Sequence, residues 1–263
     1  MMQLDEKIIN IHSELCDKLQ VKAAPLTVDD LGANKAPQEF DGSNYMAFVD
    51  LTNLKAFSTA QDITELCHKA KEQGAKAVCV NPSRVSLAAK ELNGTDILPI
   101  CVVGFPLGNT LPEALAAETK ACIQAGAKEI DMVIPTGHLK EADDKAVFTL
   151  IKACVDAAGD IPVKVILETC YLLEDEIMRA CLIARLADAT FVKTSTGFGT
   201  ESIRKDGVTG ATPQHIKLMR RCVGNAMGVK ASGGVKTATD ASAVLEAGAN
   251  RIGASGLNTD STY

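Results

Sequence analysis

Two lysines lie inside apolar stretches of the chain, where a buried ammonium group needs an explanation. Lys193 lies in the run Phe-Val-Lys-Thr-Ser-Thr-Gly, and Lys230 lies in Gly-Val-Lys-Ala-Ser-Gly-Gly. Lysine is rarely buried, because taking an ammonium out of water is costly. On neighbouring parallel strands the two amines would lie close together, and both burial and like charge favour a neutral amine. A neutral lysine can attack a carbonyl and form a Schiff base.

The elements that must position these lysines follow a regular alternation after residue 45. Apolar runs at residues 47–51, 77–80, 97–103, 129–134, 162–168, 190–195, 228–232 and 251–255 are separated mostly by stretches of helical pattern. Such alternation predicts parallel β/α units, and eight units close into a (β/α)8 TIM barrel, an α/β fold. The active site of this fold lies at the C-terminal ends of the strands.

The chain divides into an extension and a barrel. Residues 1–45 are predicted to form an N-terminal helix and loop extension, and residues 46–263 the TIM-barrel catalytic domain. Residues 3–19 have an amphipathic helical pattern. Only residues 256–263 follow the eighth run, which is too short for a full outer helix. We therefore expect the N-terminal helix to cover the barrel bottom, an oligomer surface or the gap left by that missing helix.

Further charged residues interrupt the apolar runs. They are Asp50, Asp131, Lys164 and Glu168. Because buried charges need partners, we predict that these four residues form one polar network with the two lysines inside the barrel mouth. Each also has a plainer interpretation, as a strand-end side chain that reaches water or as a structural ion pair. The structural interpretation is favoured for Lys164, Glu168 and Asp50.

Glycine-rich segments lie at the ends of the sixth, seventh and eighth runs. They contain Gly197, Gly233, Gly234, Gly253 and Ser255. Exposed backbone N–H groups in such turns, together with serine hydroxyls, can bind a phosphate. TIM barrels often place a phosphate site after strands seven and eight. Tight-turn glycines are common, but three such turns on consecutive strands favour phosphate binding.

Composition excludes several classes of protein. The net charge of −6 lacks the basic surface of a nucleic-acid-binding protein, and no apolar run is long enough to span a bilayer. The start of the chain lacks a secretory signal, and nine cysteines without a C-x-x-C motif indicate reduced thiols, so we expect a cytoplasmic protein. The four histidines form no zinc-binding motif, so no metal cofactor is expected.

The sequence resembles the deoxyribose-phosphate aldolases over residues 48–255. The motifs that carry the resemblance are Val-Asp-Leu-Thr from Val49, Ala-Val-Cys-Val-Asn-Pro from Ala77, Val-Gly-Phe-Pro-Leu-Gly from Val103, Glu-Ile-Asp-Met-Val from Glu129, and the two lysine runs with their glycine turns. The resemblance implies a metal-free class I aldolase that cleaves 2-deoxy-D-ribose 5-phosphate to glyceraldehyde 3-phosphate and acetaldehyde. Its partners would then be small molecules, and a homo-oligomer is compatible with it.

The resemblance also implies roles for individual residues. Lys193 would form the Schiff base, Lys230 would lower the pKa of Lys193, and Asp131 would take part in proton transfer through a water molecule. Gly197, Gly233, Gly234, Gly253 and Ser255 would hold the phosphate. Asp50, Lys164 and Tyr263 are accessory candidates, since some relatives carry a C-terminal tyrosine that reaches the active site.

The sequence departs from the family pattern in two places. Residues 200–210 form a longer and more charged segment than in many members, and the tail is short.

Two alternative functions are open. One is another Schiff-base barrel enzyme, such as a transaldolase or a fructose-type aldolase, and the second lysine motif argues against it. The other is a non-catalytic sugar-phosphate-binding barrel, and the presence of Lys193, Lys230 and Asp131 argues against that.

Overall fold

The computed structural model describes residues 2–32, 36–203 and 207–258. Eight parallel strands form a closed barrel in chain order. They are β1 (Val49–Asn53), β2 (Ala77–Val80), β3 (Leu98–Val103), β4 (Glu129–Val133), β5 (Val163–Ile166), β6 (Phe191–Lys193), β7 (Gly228–Ser232) and β8 (Arg251–Ala254). Because β8 also pairs with β1, the sheet has no free edge, and the predicted TIM barrel is confirmed.

Helices surround this barrel and alternate with its strands. Those in the described residues are α1 (Met2–Leu19), α2 (Ala60–Gln73), α3 (Val85–Glu91), α4 (Pro112–Gln124), α5 (Thr136–Lys140), α6 (Asp144–Ala158), α7 (Glu174–Leu186), α8 (Pro213–Val223) and α9 (Ala238–Glu246). Their apolar faces cover the outside of the strands. Strands such as β2, β4 and β5 are therefore buried along their whole length, as their near-continuous apolar runs predict.

Three strands have shorter or shifted limits than the apolar runs suggest. Residues Tyr45–Phe48 form a 3-10 turn, so β1 begins at Val49 rather than at residue 47. Strand β5 ends at Ile166, and the chain adopts a left-handed conformation at Glu168 with φ of 55°. Strand β6 ends at Lys193, before the turn at Gly197 with φ of 84°. The rule that side chains alternate along a strand therefore stops applying just before Glu168.

The N-terminal helix is present as predicted, but it does not fill the gap after the last strand. Helix α1 packs against α6 and α7, where Ile8 and Leu15 are fully buried. Ion pairs of Asp5 with Arg221 and of Glu14 with Arg179 hold it there. The expectation that it replaces the missing outer helix is wrong, because its apolar face is complementary to α6 and α7. Within the described residues, no helix follows β8.

Candidate active site

A single carboxylate at the centre of the barrel contacts three lysines. Asp131 on β4 is fully buried. Its Oδ1 accepts a hydrogen bond from Lys164 Nζ at 3.0 Å, and its Oδ2 accepts hydrogen bonds from Lys193 Nζ at 2.8 Å and Lys230 Nζ at 2.9 Å. The strand register explains this convergence, since Asp131 pairs with Lys164 and Lys193 pairs with Lys230 across neighbouring strands.

Three more charged side chains extend this arrangement into what we call the buried network. Lys230 Nζ lies 2.5 Å from Asp50 Oδ2, and Lys164 Nζ lies 2.5 Å from Glu129 Oε2. Arg251 donates hydrogen bonds to both Asp50 and Glu129. The buried network thus consists of the carboxylates Asp50, Glu129 and Asp131 and the basic groups Lys164, Lys193, Lys230 and Arg251. All seven side chains are nearly or fully inaccessible to solvent.

The sequence pattern predicted five of the seven residues of this network. It missed two members and included one residue that does not belong to it. The structure brings together Asp50, Asp131, Lys164, Lys193 and Lys230, as expected. Arg251 and Glu129 were not anticipated as members, although each is a charged residue at the start of an apolar run. Glu168 was expected in the network and is not part of it. Since β5 ends at Ile166, the Glu168 side chain turns away and accepts hydrogen bonds from Thr196 instead.

Electrostatics fixes the charge state of three members of the network, Asp131, Asp50 and Lys230. Burial alone would raise the pKa of Asp131, but the three lysines outweigh burial and hold that pKa well below its ordinary value. The pKa of Asp50 is lowered as well, because Lys230 and Arg251 outweigh burial. Conversely, burial would lower the pKa of Lys230, but the carboxylates of Asp131 and Asp50 raise it. Both acids and Lys230 are therefore charged at neutral pH.

These shifts predict how stability depends on pH. We expect the contribution of Asp50 and Asp131 to the free energy of unfolding to be nearly equal at about pH 7 and pH 5, and to fall below about pH 4. The folded-state pKa values of Asp50 and Asp131 lie below the ordinary 3.8. The stabilisation from the ionised carboxylates is therefore complete above that value and is lost as the pH falls through the folded-state values. Urea unfolding followed by circular dichroism measures this, and a large loss between pH 7 and pH 5 would contradict it.

Only one of the three lysines of the network reaches open space. A cavity of about 420 Å3, here called the mouth cavity, lies at the C-terminal end of the barrel. Lys193, the last residue of β6, lines this cavity, whereas Lys164 and Lys230 are fully buried below it. A carbonyl compound in the cavity could therefore meet the amine of Lys193 but neither of the other two amines.

The predicted phosphate-binding residues line the same cavity. Gly197, Gly233, Gly234, Gly253 and Ser255 all contribute to its wall. Gly233 and Gly234 have φ of 80° and 81°, a region that favours glycine. Within the described residues, the backbone N–H groups of these two glycines and of Gly197 have no protein hydrogen-bond partner. They are therefore available to an anion in the mouth cavity.

Gly253 has a second reason to be glycine. A Cβ atom built there would lie 3.1 Å from Ser232 Cβ and 3.2 Å from Lys230 Cε. Strand β8 thus leaves room for the Lys230 side chain to cross the barrel. Close packing therefore favours glycine at position 253, in addition to the expected role in phosphate binding.

Two lysines of the cavity wall were not anticipated from the sequence. Lys55 follows β1 and Lys236 follows the turn at Gly233 and Gly234, and both line the mouth cavity. Each comes shortly after a motif that was identified, so a search for cations just beyond the strand ends could have found them. Together they give the cavity a positive character that suits an anionic substrate.

Several sequence expectations concern residues at the limits of the described chain. Tyr263 lies outside the described residues, which end at Asn258. Of the charged segment 200–210, residues 200–203 and 207–210 are described. Gly210 packs against the turn at Gly233 and Gly234, since a Cβ atom there would lie 2.3 Å from the Gly233 carbonyl oxygen. This segment therefore supports the cavity wall directly.

Neither a metal-binding group nor a membrane span occurs in the part of the chain that the structure describes. Among residues 2–32, 36–203 and 207–258, no group of three His, Cys, Asp or Glu side chains is arranged to hold a metal ion. None of the helices in this part of the chain is both long enough and apolar enough to cross a membrane.

Comparison with known proteins identifies the family. The model of the DeoC/LacD family aldolases matches residues 44–259. A protein of Aciduliprofundum boonei named deoxyribose-phosphate aldolase is 50% identical over 217 residues, which are 82% of this chain and 94% of that protein.

Solved structures agree. A candidate deoxyribose-phosphate aldolase of Coccidioides immitis is 36% identical with a TM-score of 0.79, covering 95% of this chain and 94% of that one. The tetrameric deoxyribose phosphate aldolase of Aeropyrum pernix is 25% identical with a TM-score of 0.72, covering 95% and 93%. The resemblance predicted from the motifs is confirmed, and the chain belongs to the DeoC/LacD family of aldolases.

Proposed function

We propose that this chain reversibly cleaves 2-deoxy-D-ribose 5-phosphate to D-glyceraldehyde 3-phosphate and acetaldehyde through a Schiff base on Lys193. The observation that carries this proposal is the position of Lys193, which alone among the three lysines of the buried network lines the mouth cavity. The names of the relatives support the choice of substrate.

The charge balance of the buried network supports Lys193 as the nucleophile. A neutral amine is the form that attacks a carbonyl. With Lys193 neutral, the network contains three cations (Lys164, Lys230, Arg251) and three carboxylates (Asp50, Glu129, Asp131), so losing this proton leaves no net charge inside the barrel. The Lys230 amine, whose pKa is raised by Asp131 and Asp50, shares Asp131 Oδ2 with the amine of Lys193.

The reaction then follows the chemistry of an iminium ion. The Lys193 nitrogen attacks C1 of the open-chain sugar, and loss of water forms the iminium. A base removes the proton of the C3 hydroxyl, the C3 carbonyl forms, and the electrons of the C2–C3 bond move into the iminium to give an enamine. Glyceraldehyde 3-phosphate leaves, C2 of the enamine takes up a proton, and hydrolysis releases acetaldehyde and the free amine. We assign the proton transfers to Asp131, acting through a water molecule.

The phosphate of the substrate would bind at the part of the mouth cavity wall formed by the glycine turns after β6 and β7. The free N–H groups of Gly197, Gly233 and Gly234 provide hydrogen bonds, with Gly253 and Ser255 beside them. Lys55 and Lys236 add positive charge. Binding there would hold the sugar with its aldehyde end towards Lys193, so binding energy from the phosphate would orient the reacting carbonyl.

Three accessory features belong to the same proposal. Asp50 and Lys164 keep the charges of Lys230 and Asp131 paired, and so support the site without touching the substrate. Tyr263 would assist the proton step at C2. The protein would work in the cytoplasm, without a metal cofactor and as a homo-oligomer, as the tetrameric relative suggests.

An assay of deoxyribose 5-phosphate cleavage in the presence of a chelator tests the proposal. We expect glyceraldehyde 3-phosphate to form at the same rate with and without excess EDTA, because no step uses a metal ion. A coupled dehydrogenase that needs no metal reports the product. Fructose 1,6-bisphosphate serves as the control substrate and should not be cleaved. Loss of activity with EDTA, restored by a divalent cation, would contradict the proposed mechanism.

A further inference from the structure

Glu168 is a buried acid that the proposed reaction does not use. It follows β5, only 3% of the residue is exposed, and its backbone adopts the left-handed conformation with φ of 55° and ψ of 62°. A residue other than glycine rarely adopts this conformation, which costs about 1 kcal/mol or more unless the surroundings hold it. The contacts of its side chain show what holds it.

The Glu168 carboxylate binds Thr196, a residue of the mouth cavity wall, through both its backbone and its side chain. The backbone N–H of Thr196 donates to both carboxylate oxygens, at 3.3 and 3.2 Å, and the Thr196 hydroxyl donates to Oε2. Thr196 Oγ1 in turn accepts a hydrogen bond from the Phe198 N–H at 2.9 Å. The chain is therefore held on both sides of Gly197.

This arrangement separates the donors of the turn into two groups. The N–H groups of Thr196 and Phe198 are already occupied, whereas the N–H of Gly197 between them has no partner among the described residues. Gly197 lines the mouth cavity. Glu168 does not line that cavity and instead borders a smaller one of about 150 Å3 behind the turn. It therefore acts on the cavity through Thr196 rather than by contact with a ligand.

We infer that Glu168 is a positioning residue that sets the turn 196–198 so that the Gly197 N–H binds the phosphate group of the substrate. The inference rests on the proposed function for the identity of the substrate. Charge repulsion between Glu168 and the phosphate is limited because Glu168 does not line the mouth cavity. Burial raises the pKa of Glu168, and the hydrogen bonds from Thr196 only partly oppose that rise.

The test compares variants by their affinity for inorganic phosphate, which calorimetry measures without turnover. We expect Glu168→Leu and Thr196→Val to weaken phosphate binding about tenfold or more, whereas Thr196→Ser, which keeps the hydroxyl, stays close to wild type. For Glu168→Leu and Thr196→Val, the ratio of kcat/KM for deoxyribose 5-phosphate to that for 2-deoxyribose should fall by a similar factor. Should Glu168→Leu not fold, the threonine pair alone decides.

Glu118→Ala is the matched control. The Glu118 carboxylate also accepts a backbone N–H of a mouth loop, that of Gly104 at 2.8 Å, but this loop does not line the mouth cavity. We expect its phosphate affinity to be unchanged. The inference would be overturned if Glu118→Ala weakened phosphate binding as much as Glu168→Leu does, or if Thr196→Val left the phosphate affinity unchanged. If wild type fails to cleave deoxyribose 5-phosphate while the variants still lose phosphate binding, the proposed function fails and the positioning role stands.

Discussion

Replacing Lys193 by leucine should abolish aldol cleavage, with a fall in kcat of about a thousandfold or more. The variant lacks the only amine of the buried network that lines the mouth cavity, so the imine of the proposed mechanism cannot form. The fold should persist, because three cations and three carboxylates remain in the network. Steady-state kinetics with deoxyribose 5-phosphate measures the loss, and thermal unfolding checks the fold.

Lys193→Arg is the control for this variant. A guanidinium keeps the positive charge but does not form the imine, since it stays protonated. We expect this variant to be as inactive as Lys193→Leu while still binding inorganic phosphate. A Lys193→Arg enzyme with substantial cleavage activity would show that the positive charge matters and that the covalent step does not take place on Lys193.

Replacing Lys230 by leucine should reduce kcat at neutral pH by about a hundredfold or more. Without Lys230, the network is balanced only when Lys193 is protonated, because Lys164, Lys193 and Arg251 then face three carboxylates. A protonated Lys193 cannot attack a carbonyl. Activity should therefore rise with pH and recover part of the loss under alkaline conditions, which a pH–rate profile measures.

Lys230→Arg is the control that keeps the positive charge of Lys230 and changes only the shape of the side chain. It restores the cation beside Asp131 and Asp50, so its activity at neutral pH should exceed that of Lys230→Leu. Breaking a buried ion pair costs about 3–5 kcal/mol, so the unfolding of both variants must be measured in parallel. Residual activity of folded Lys230→Leu that does not rise with pH would contradict an electrostatic role.

The barrel and the centre of the site were predictable because both follow from strong local patterns. Eight apolar runs separated by helical stretches specify the fold. Lys193 and Lys230 stand out because each breaks an apolar run near its middle and because the two lie on consecutive strands. Parallel strands in chain order then bring them together, and the observed register pairs them directly.

The parts that were missed depend on three-dimensional detail that a linear pattern does not contain. Arg251 and Glu129 begin their strands, a position where a charge usually reaches water, yet here they meet across the barrel. Glu168 was assigned to the network because it lies in the fifth apolar run, but the strand in that run ends two residues earlier. The glycine at position 253 reads as a turn signal, whereas it lies within β8 and a Cβ atom there would meet the side chains of Ser232 and Lys230.

Reductive trapping tests the central claim most directly. Incubating the enzyme with acetaldehyde and sodium borohydride reduces any imine to a stable secondary amine, and peptide mapping by mass spectrometry locates it. We predict a single ethyl adduct on Lys193, with complete loss of activity and no adduct on the Lys193→Leu variant. An adduct on Lys230 or Lys164 instead, or inactivation without a modified lysine, would contradict the assignment of Lys193 as the Schiff-base residue.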